Sequence, residues 1–305
     1  MIISPVTDPS IGDRTHTRDP KIWRGEDAWY LILGSTVEEK YGEVLFYRSE
    51  DLHTWTYVNK AWKGPEYGWM WECPDYFKTD GGEVLMLSAM KLLPDHVKER
   101  NQSICFPVTF DEASCALQIP DAYQYLDYGL DLYAPQTTLD KDGLRTMIAW
   151  VRMPRVTEEG WIGMFCSPRV VDVENGHIFF RLHPNIRNAY SRAVRNVKDV
   201  SDNGYMASFD LEDGETADIG GFIIARKGNR IVTDRSSVYP AFEGAHLISE
   251  TPELKGGCHL DVLVDPHLIE VYINDGEYVI SNAVYDLGDE IHCDKEKDIL
   301  LYTTA

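Results

Sequence analysis

The feature that most constrains this chain is a series of short runs of β-branched and aromatic residues, each of strand length. Examples are WYLILGS, EVLFYRS, EVLMLSAM, RTMIAWVRM and HIFFRLH, and the joints between such runs include KTDGGE, LDKDGL and VENGH. β-branched and aromatic residues favour strands, whereas Gly, Asn and Asp favour turns. The best helical spacing of apolar residues is confined to residues 186–199. The sequence therefore predicts an all-β protein.

The pattern of the runs changes along the chain. Up to about residue 183 they recur in units of about 45 to 50 residues, as a propeller with four-stranded blades requires. The later strands are longer and end in LIEVYI, NDG and EYVISNAVY, a hairpin with Asn274, Asp275 and Gly276 in its turn. We therefore expect a β-propeller domain at 1–183, a linker with a helical pattern at 184–200, and a β-sandwich domain at 201–305.

Composition excludes some partners. The 50 acidic and 29 basic residues give a net charge of -21, which repels nucleic acid and anionic membrane surfaces. The first ten residues lack a basic segment followed by an apolar core, and no apolar run is long enough to cross a bilayer. Six cysteines are scattered without paired spacing, as in a reducing compartment. These features predict a cytoplasmic protein with no nucleic-acid or membrane partner.

Several common chemical signatures are absent from the sequence. It contains no GxGxxG after a strand, no GxxxxGK[ST], no HExxH and no GxSxG. The nine histidines do not cluster at metal-ligand spacing. We therefore expect no cofactor and no metal.

The stretch GWMWECPDYF places one acid, Glu72, among aromatic residues. Aromatic neighbours withdraw water from a carboxyl group and favour its protonated form, which would make Glu72 a proton donor. The alternative is a strand that runs into a turn at Pro74, with Glu72 pointing outward. The adjacent Cys73 could be a thiol nucleophile, but no histidine lies near it in sequence, and a buried packing cysteine is the more frequent case.

Other carboxylates also lie among aromatic and basic residues. Asp19 lies in TRDPKIW, and Asp127 and Asp131 alternate with Tyr128 and Tyr133 in LDYGLDLYAPQT. Cleavage of a glycoside requires one carboxyl group to protonate the leaving oxygen and another to attack or stabilise the sugar cation, while aromatic rings stack on the sugar face. The pattern is therefore compatible with a carbohydrate site.

Taken in order, these segments resemble glycoside hydrolase family 32, the family of invertases, levanases and sucrose-6-phosphate hydrolases. RDPKIW resembles the RDP motif of that family, WECPD its ECP motif, and DYGLDLYAPQT its third active-site segment. TMIAWVRMP and GWIGMFCSPRVV resemble the strands that follow, and LDVLVDPHLIEVYINDGEYVISNAVY is similar to the C-terminal β-sandwich of the family. The resemblance covers nearly the whole chain.

The resemblance implies a role for individual residues. Glu72 would be the general acid/base, and Asp19 would hold the sugar hydroxyls and stabilise the transition state. The remaining candidates for contact with substrate are Arg18, Cys73, Asp131, Tyr133 and Trp150.

One departure from the family pattern affects the expected function. The family is a five-bladed propeller whose first blade carries a WMNDPNG-like motif with the nucleophilic Asp, and this sequence has no such motif. Asp8 lies too close to the RDP segment, and Asp275 lies in the predicted sandwich hairpin. We therefore expect about four blades, beginning at the second, with a homo-oligomer or a partner chain covering the missing one.

Two functions follow from this sequence. The first is a β-fructofuranosidase-type hydrolase that acts on sucrose, sucrose-6-phosphate or fructans, with its nucleophile outside this chain. The alternative is a non-catalytic relative that binds a fructose-containing saccharide. The sequence leaves the choice of fructoside open.

Overall fold

The computed structural model describes residues 3–4, 6–92, 101–200, 204–240, 242, 244–294 and 299–304. Within these residues, strands dominate, and the only helices are one short α-helix and two 3-10 helices. The all-β prediction is therefore confirmed. The strands up to residue 139 are β1 (Arg18–Arg24), β2 (Trp29–Val37), β3 (Tyr41–Ser49), β4 (Thr56–Trp62), β5 (Met70–Thr79), β6 (Gly82–Met90), β7 (Gln102–Asp111), β8 (Ala116–Gln118), β9 (Gln124–Tyr125) and β10 (Leu132–Leu139). The next are β11 (Arg145–Val151), β12 (Met164–Phe165), β13 (Arg169–Glu174), β14 (His177–Leu182), β15 (Arg192–Val194), β16 (Tyr205–Asp210), β17 (Thr216–Ile219) and β18 (Phe222–Lys227). The last are β19 (Arg230–Asp234), β20 (Ile248–Glu250), β21 (His259–Asp265), β22 (Leu268–Ile273), β23 (Tyr278–Ala283), β24 (Ile291–Cys293) and β25 (Leu300–Thr303).

The contacts divide the chain into two compact units. The first unit comprises Met1–Tyr125, Tyr133–Thr138 and Asp172–Ile178, and the second comprises Leu126–Leu132, Leu139–Val171 and Phe179–Ala305. The predicted boundaries at 183 and 201 follow the order of the segments along the chain and stay predictions.

The first unit contains two antiparallel sheets in which neighbouring strands follow one another in sequence. One has the order β1-β2-β3-β4, and the other has the order β5-β6-β7-β8, with β9 paired to β7. Strands β2, β3 and β6 are buried along most of their length because side chains on both faces are covered. One cluster of buried side chains, which includes Trp71, Tyr76, Phe46 and Phe106, fills the space between these sheets.

A glycine allows β2 to approach β5 closely. A Cβ atom on Gly34 would lie 2.0 Å from the carbonyl oxygen of Trp71, a distance that no side chain permits. The hydroxyl of Thr36, on the same strand, donates to the carbonyl oxygen of Trp69. Backbone contact therefore fixes the start of β5 against β2.

The number of sheets corrects one expectation. In the described part of residues 1–183, the strands form three sheets rather than the four blades that the sequence predicts. The equivalent residues Arg18, Glu72 and Tyr133 lie 54 and 61 positions apart, which exceeds the predicted repeat. Longer connections between the strands account for the difference.

The predicted linker is only partly helical. The α-helix covers Pro184–Ala189, with Pro184 at its first turn and the side chain of His183 as its N-cap. Strand β15 then follows and pairs with β25. The helical spacing over residues 186–199 therefore overestimates the helix, because the segment after Tyr190 adds a strand to a sheet of the second unit.

The last third of the chain forms two sheets of the second unit. Their strand orders are β15-β25-β16-β21-β22-β23 and β20-β19-β18-β17-β24. Apolar side chains from both sheets share one buried cluster, as in a β-sandwich. The predicted hairpin is confirmed, since β22 and β23 pair from Ile273 and Tyr278 outward. The three turn residues between them have φ values of 48°, 57° and 86°.

Candidate active site

Three strands of the first unit begin with the same irregularity. The tripeptides are Arg18-Asp19-Pro20 on β1, Glu72-Cys73-Pro74 on β5 and Tyr133-Ala134-Pro135 on β10, and their central residues have φ values of 58°, 48° and 52°. The pairing register of β1 and β5 shifts across these tripeptides. A positive φ is uncommon for a residue with a side chain, and the proline fixes the residue that follows. β1 and β5 therefore carry a bulge at this tripeptide, and β10 has the same positive φ followed by a proline.

The first residues of the three tripeptides lie together. One carboxylate oxygen of Glu72, Oε1, accepts hydrogen bonds from Nε and Nη2 of Arg18, at 3.0 and 2.7 Å. The other oxygen, Oε2, accepts a hydrogen bond from the hydroxyl of Tyr133 at 2.7 Å. The side chain of Glu72 is 20% exposed, so it can still be reached from solvent. Two groups therefore donate hydrogen bonds to this carboxylate, the guanidinium cation of Arg18 and the phenol hydroxyl of Tyr133.

Asp19 interacts with the residue next to Glu72. Its Oδ2 accepts a hydrogen bond from the backbone N–H of Cys73 at 2.9 Å, and the Cys73 thiol lies 3.6 Å from the same oxygen. Burial raises the pKa of the Cys73 thiol to about 12, and the charges of Asp19 and Glu72 act in the same direction. A thiol with such a pKa holds almost no thiolate at neutral pH. The geometry therefore disfavours Cys73 as a nucleophile and favours a packing role beside the site.

The aromatic residues around Glu72 lie elsewhere than expected. Trp71 and Tyr76 are buried in the core of the first unit, and the indole N–H of Trp71 donates to the carbonyl oxygen of Tyr67. Successive side chains of a strand point to opposite faces, so Trp71 turns away from its neighbour Glu72. Trp71 and Tyr76 therefore contribute to the core, and the aromatic residue that donates to the Glu72 carboxylate is Tyr133.

Asp131 belongs to the second unit and has its own partners there. Both terminal nitrogens of Arg235 donate to its carboxylate, and the backbone N–H of Ala283 adds a hydrogen bond of 2.9 Å. The guanidinium of Arg235 also lies 3.7 Å from the ring centre of Tyr239. These contacts give Asp131 a structural role in the second unit, and its predicted contact with substrate stays a prediction.

Asp127 has a similar environment in the second unit. It accepts a hydrogen bond from Arg169 at 2.9 Å and from the backbone N–H groups of Gly129 and Ser281 at 2.8 and 2.7 Å. Arg169 is fully buried and also donates to Glu270 at 2.8 Å. This network holds the DYG part of the third motif inside the second unit.

Trp150 lies on the outward face of β11 in the second unit. It is 44% exposed, and it pairs directly with Phe165 of β12, which is 68% exposed. The alternation of buried and exposed residues along β11 explains this orientation, since Met147, Ala149 and Val151 point into the core. The predicted contact of Trp150 with substrate stays a prediction.

Sequence reasoning missed a second layer of polar residues beneath the first. Lys21, Asp75 and Gln136 each follow the proline of one tripeptide directly. The ammonium group of Lys21 donates to Asp75 Oδ2 and Gln136 Oε1, both at 3.2 Å, and to the carbonyl oxygen of Thr137 at 2.5 Å. A search for polar residues after the prolines of RDP, ECP and YAP would have found this layer.

Two general observations bear on the chemistry. Among the described residues, no cluster of three or more His, Cys, Asp or Glu side chains is arranged to hold a metal ion. No helix in the described part of the chain has the length and apolar character to span a membrane.

Comparison with known proteins establishes the family. The chain matches the model of the N-terminal domain of glycosyl hydrolases family 32 over residues 2–184 and the model of the C-terminal domain of that family over residues 195–301. The two matches place this all-β chain among proteins related to the glycosyl hydrolases. The protein belongs to glycosyl hydrolases family 32.

Individual relatives show how much of a family member the chain represents. It is 27% identical to a sucrose-6-phosphate hydrolase of Vibrio alginolyticus, over 88% of this chain and 60% of the relative. It is 29% identical to a sucrose-6-phosphate hydrolase of Salmonella typhimurium, over 93% of this chain and 63% of the relative. The chain thus spans about three fifths of the length of these curated relatives.

Solved structures agree with the family assignment. A mutant β-fructofuranosidase of Bombyx mori in complex with sucrose has a TM-score of 0.78 and 25% identity, over 94% of this chain and 66% of that chain. A sucrose-6-phosphate hydrolase of Lactobacillus gasseri has a TM-score of 0.83 at 21% identity, over 99% of this chain and 69% of that chain. The second likeness shows the fold alone. The predicted fold class, a propeller-type region followed by a β-sandwich, is confirmed by these neighbours.

Proposed function

We propose that this chain carries the fructoside-binding and acid/base part of a β-fructofuranosidase-type site. The observation that carries the proposal is the carboxylate of Glu72, held between Arg18 and Tyr133 with a fifth of its side chain exposed. Relatives named as sucrose-6-phosphate hydrolases and a β-fructofuranosidase support a fructose-containing saccharide as the ligand. Sucrose, sucrose-6-phosphate and fructans all belong to this class.

Each residue of the proposed site has a distinct role. Glu72 protonates the leaving oxygen of the glycoside, and Arg18 and Tyr133 orient its carboxyl group. Asp19 accepts hydrogen bonds from sugar hydroxyls. The N–H of Cys73 donates to its Oδ2, and a carboxylate can accept several further hydrogen bonds. Cys73 forms part of the wall beside both carboxylates.

A second candidate is a binding protein without catalysis. The given residues contain no WMNDPNG-like segment, and acid catalysis by these residues alone would forgo the covalent route of a retaining mechanism. Asp131 is a poor replacement nucleophile because Arg235 and Ala283 already occupy its oxygens. The two candidates share the pocket and differ in turnover.

The first experiment measures binding. Calorimetric titration of the chain with fructose, sucrose, sucrose-6-phosphate and a short fructan should detect at least one ligand. Arg18→Met should weaken binding by about tenfold or more, because a hydrogen bond from a charged group contributes roughly 1.5–3 kcal/mol. For the variant Glu72→Gln, which is used in the second experiment, Glu112→Gln is the matched control. Glu112 also accepts hydrogen bonds from a cation, Lys78, and from a second donor, the N–H of Glu26. Absence of binding by all four sugars would refute the proposal.

The second experiment separates the two candidates. Fructose release by the same sample should be measured for the wild type, Glu72→Gln and Glu112→Gln. Turnover that Glu72→Gln alone abolishes identifies the hydrolase. Binding with fructose release at the uncatalysed background shows that this chain by itself only binds, and that the hydrolase candidate then requires a nucleophile from outside this chain.

The proposal also includes a homo-oligomer or a partner chain, and a cytoplasmic location. Ile148, Trp150 and Phe165 expose apolar surface on β11 and β12, which is compatible with a homo-oligomer or a partner chain. The molar mass in solution, measured by light scattering, tests this part. The cytoplasmic location stays a prediction.

A further inference from the structure

The backbone N–H and the backbone carbonyl oxygen of Cys73 both form hydrogen bonds with side chains from other strands. Its N–H donates to Asp19 of β1, and its carbonyl oxygen accepts a hydrogen bond from Nε2 of Gln136 of β10 at 3.3 Å. Cys73 has a φ of 48°, a conformation that is unfavourable for a residue with a side chain and persists only when its surroundings impose it. The two hydrogen bonds are therefore candidates for what imposes it.

Gln136 is itself fixed in orientation. Its Oε1 accepts a hydrogen bond from Lys21, and this leaves the amide nitrogen directed at Cys73. Lys21 in turn contacts the fully buried carboxylate of Asp75, which also accepts the N–H of Thr137 at 2.7 Å. One ammonium group thus ties together β1, β5 and β10, the three strands that supply Arg18, Glu72 and Tyr133.

We infer that Gln136, oriented by Lys21, is a positioning residue that holds the bulge at Cys73 and thereby aims the carboxylate of Glu72. Gln136 has no contact of its own with Glu72, and it acts through the backbone of the next residue. The inference rests on the proposed function only for the identity of Glu72 as the acid. The hold on Cys73 can be measured without any sugar.

Gln136→Glu is the sharpest variant. A glutamate has the same shape and still accepts the hydrogen bond from Lys21, but it cannot donate to the carbonyl oxygen of Cys73. Gln124→Glu is a matched control in the same unit, because Gln124 donates to the carbonyl oxygen of Ile178 at 3.2 Å and accepts the N–H of Ile178 at 2.9 Å. Both variants add one negative charge and remove one amide-to-carbonyl hydrogen bond.

The first measurement is the rate at which iodoacetamide alkylates Cys73, followed by mass spectrometry of its peptide. Cys293, which is also half-buried, is an internal reference, and the buried Cys105 reports general opening of the first unit. Gln136→Glu should raise the Cys73 rate by about threefold or more relative to Cys293, because local release of the bulge exposes the thiol. Lys21→Met should raise it less, and Gln124→Glu should leave it unchanged.

Two outcomes would overturn the inference. One is an unchanged Cys73 rate in Gln136→Glu while circular dichroism shows an intact fold. The other is a parallel rise for Cys105, which would mean that the whole unit loosens and that Gln136 has no specific hold on the bulge.

Sugar binding gives an independent readout. If the wild type binds a fructoside, Gln136→Glu should weaken that binding by about tenfold, because misplacement of Glu72 disturbs its contacts with Arg18 and the ligand. Gln124→Glu should stay within about twofold, as expected for a distant site. Equal affinity of wild type and Gln136→Glu would count against the inference. A wild type that binds no sugar refutes the proposed function, and the alkylation rates then decide the inference alone.

Discussion

The two units each contain a network of carboxylates and arginines, and the networks differ in what they leave open. In the second unit, Arg169 is fully buried and contacts Asp127, Glu270 and Ser281. In the first unit, Arg18 and Glu72 keep 32% and 20% of their side chains exposed. A buried network with donors on every side can only support the fold, whereas a half-exposed carboxylate retains room for a ligand.

In the buried network of the second unit, burial shifts the pKa of a carboxyl group. It raises the pKa of Asp127 to about 6, although Arg169 and three hydrogen-bond donors act in the opposite direction. Similar residue types therefore serve stability in one unit and are available for chemistry in the other.

The largest expected effect comes from removing the buried arginine. Arg169→Met should lower the free energy of unfolding by about 3–5 kcal/mol, because it leaves two buried carboxylates without their cation. Arg18→Met should cost no more than about 1 kcal/mol, since its ion pair is partly solvated. Urea denaturation of both variants measures the difference. An Arg18→Met variant that loses as much stability as Arg169→Met would break the comparison.

An intermediate effect concerns pH. Burial, together with the charge of Glu270, raises the pKa of Asp265 to about 6 in the folded protein, against an ordinary value of 3.8. The folded state then binds more protons than the unfolded state between these values, so this group contributes stability that is fully present below pH 3.8 and is lost as the pH rises through about 6. Asp265→Asn should therefore be more stable than the wild type at pH 7, by on the order of 1–2 kcal/mol.

The pH dependence of the Asp265→Asn effect provides its control. Its advantage over the wild type should shrink towards zero below about pH 3, where Asp265 is protonated in both the folded and the unfolded state. Thermal unfolding at several pH values measures this. An advantage of constant size at every pH would mean that the effect is not electrostatic. Asp127, which has a raised pKa as well, should leave a residual slope in the same window.

The smallest expected effect lies in the open network. Asp19→Asn removes a negative charge beside the Cys73 thiol while Oδ1 of the asparagine can still accept the backbone N–H, so the pKa of Cys73 should fall from about 12. Alkylation of Cys73 at pH 9 should accelerate by about two- to fivefold, because the thiolate is the reactive form. Cys115, whose pKa burial raises to about 11, should keep its wild-type rate. An unchanged Cys73 rate would show that burial alone controls this thiol.

Local sequence was sufficient for the motifs and insufficient for their partners. RDP and ECP can be recognised because each is a run of adjacent residues, and the hairpin at 274–276 because its turn chemistry is local. The contact of Lys21 with Gln136 spans 115 positions and joins two strands that are distant in sequence. No local pattern encodes that distance.

Asp131 shows a second limit of local sequence. Its alternation with tyrosines in sequence suggested a pocket, but its partner Arg235 lies 104 positions away and takes up its carboxylate. The aromatic residues next to Glu72 in sequence are also a poor guide to its contacts, because strand alternation places the Trp71 side chain in the core. In both cases the contacts of the side chain are tertiary and cannot be read from its neighbours in sequence.

The construction of the site from three distant tripeptides also has a consequence for folding kinetics. Arg18, Glu72 and Tyr133 are separated by 54 and 61 residues along the chain, so their contacts close long loops. All-β proteins dominated by such non-local contacts fold in about milliseconds to seconds, far more slowly than helical bundles. Because all three strands must be in register before Glu72 meets both partners, the Glu72 contacts should form late in refolding, after the individual hairpins of each sheet.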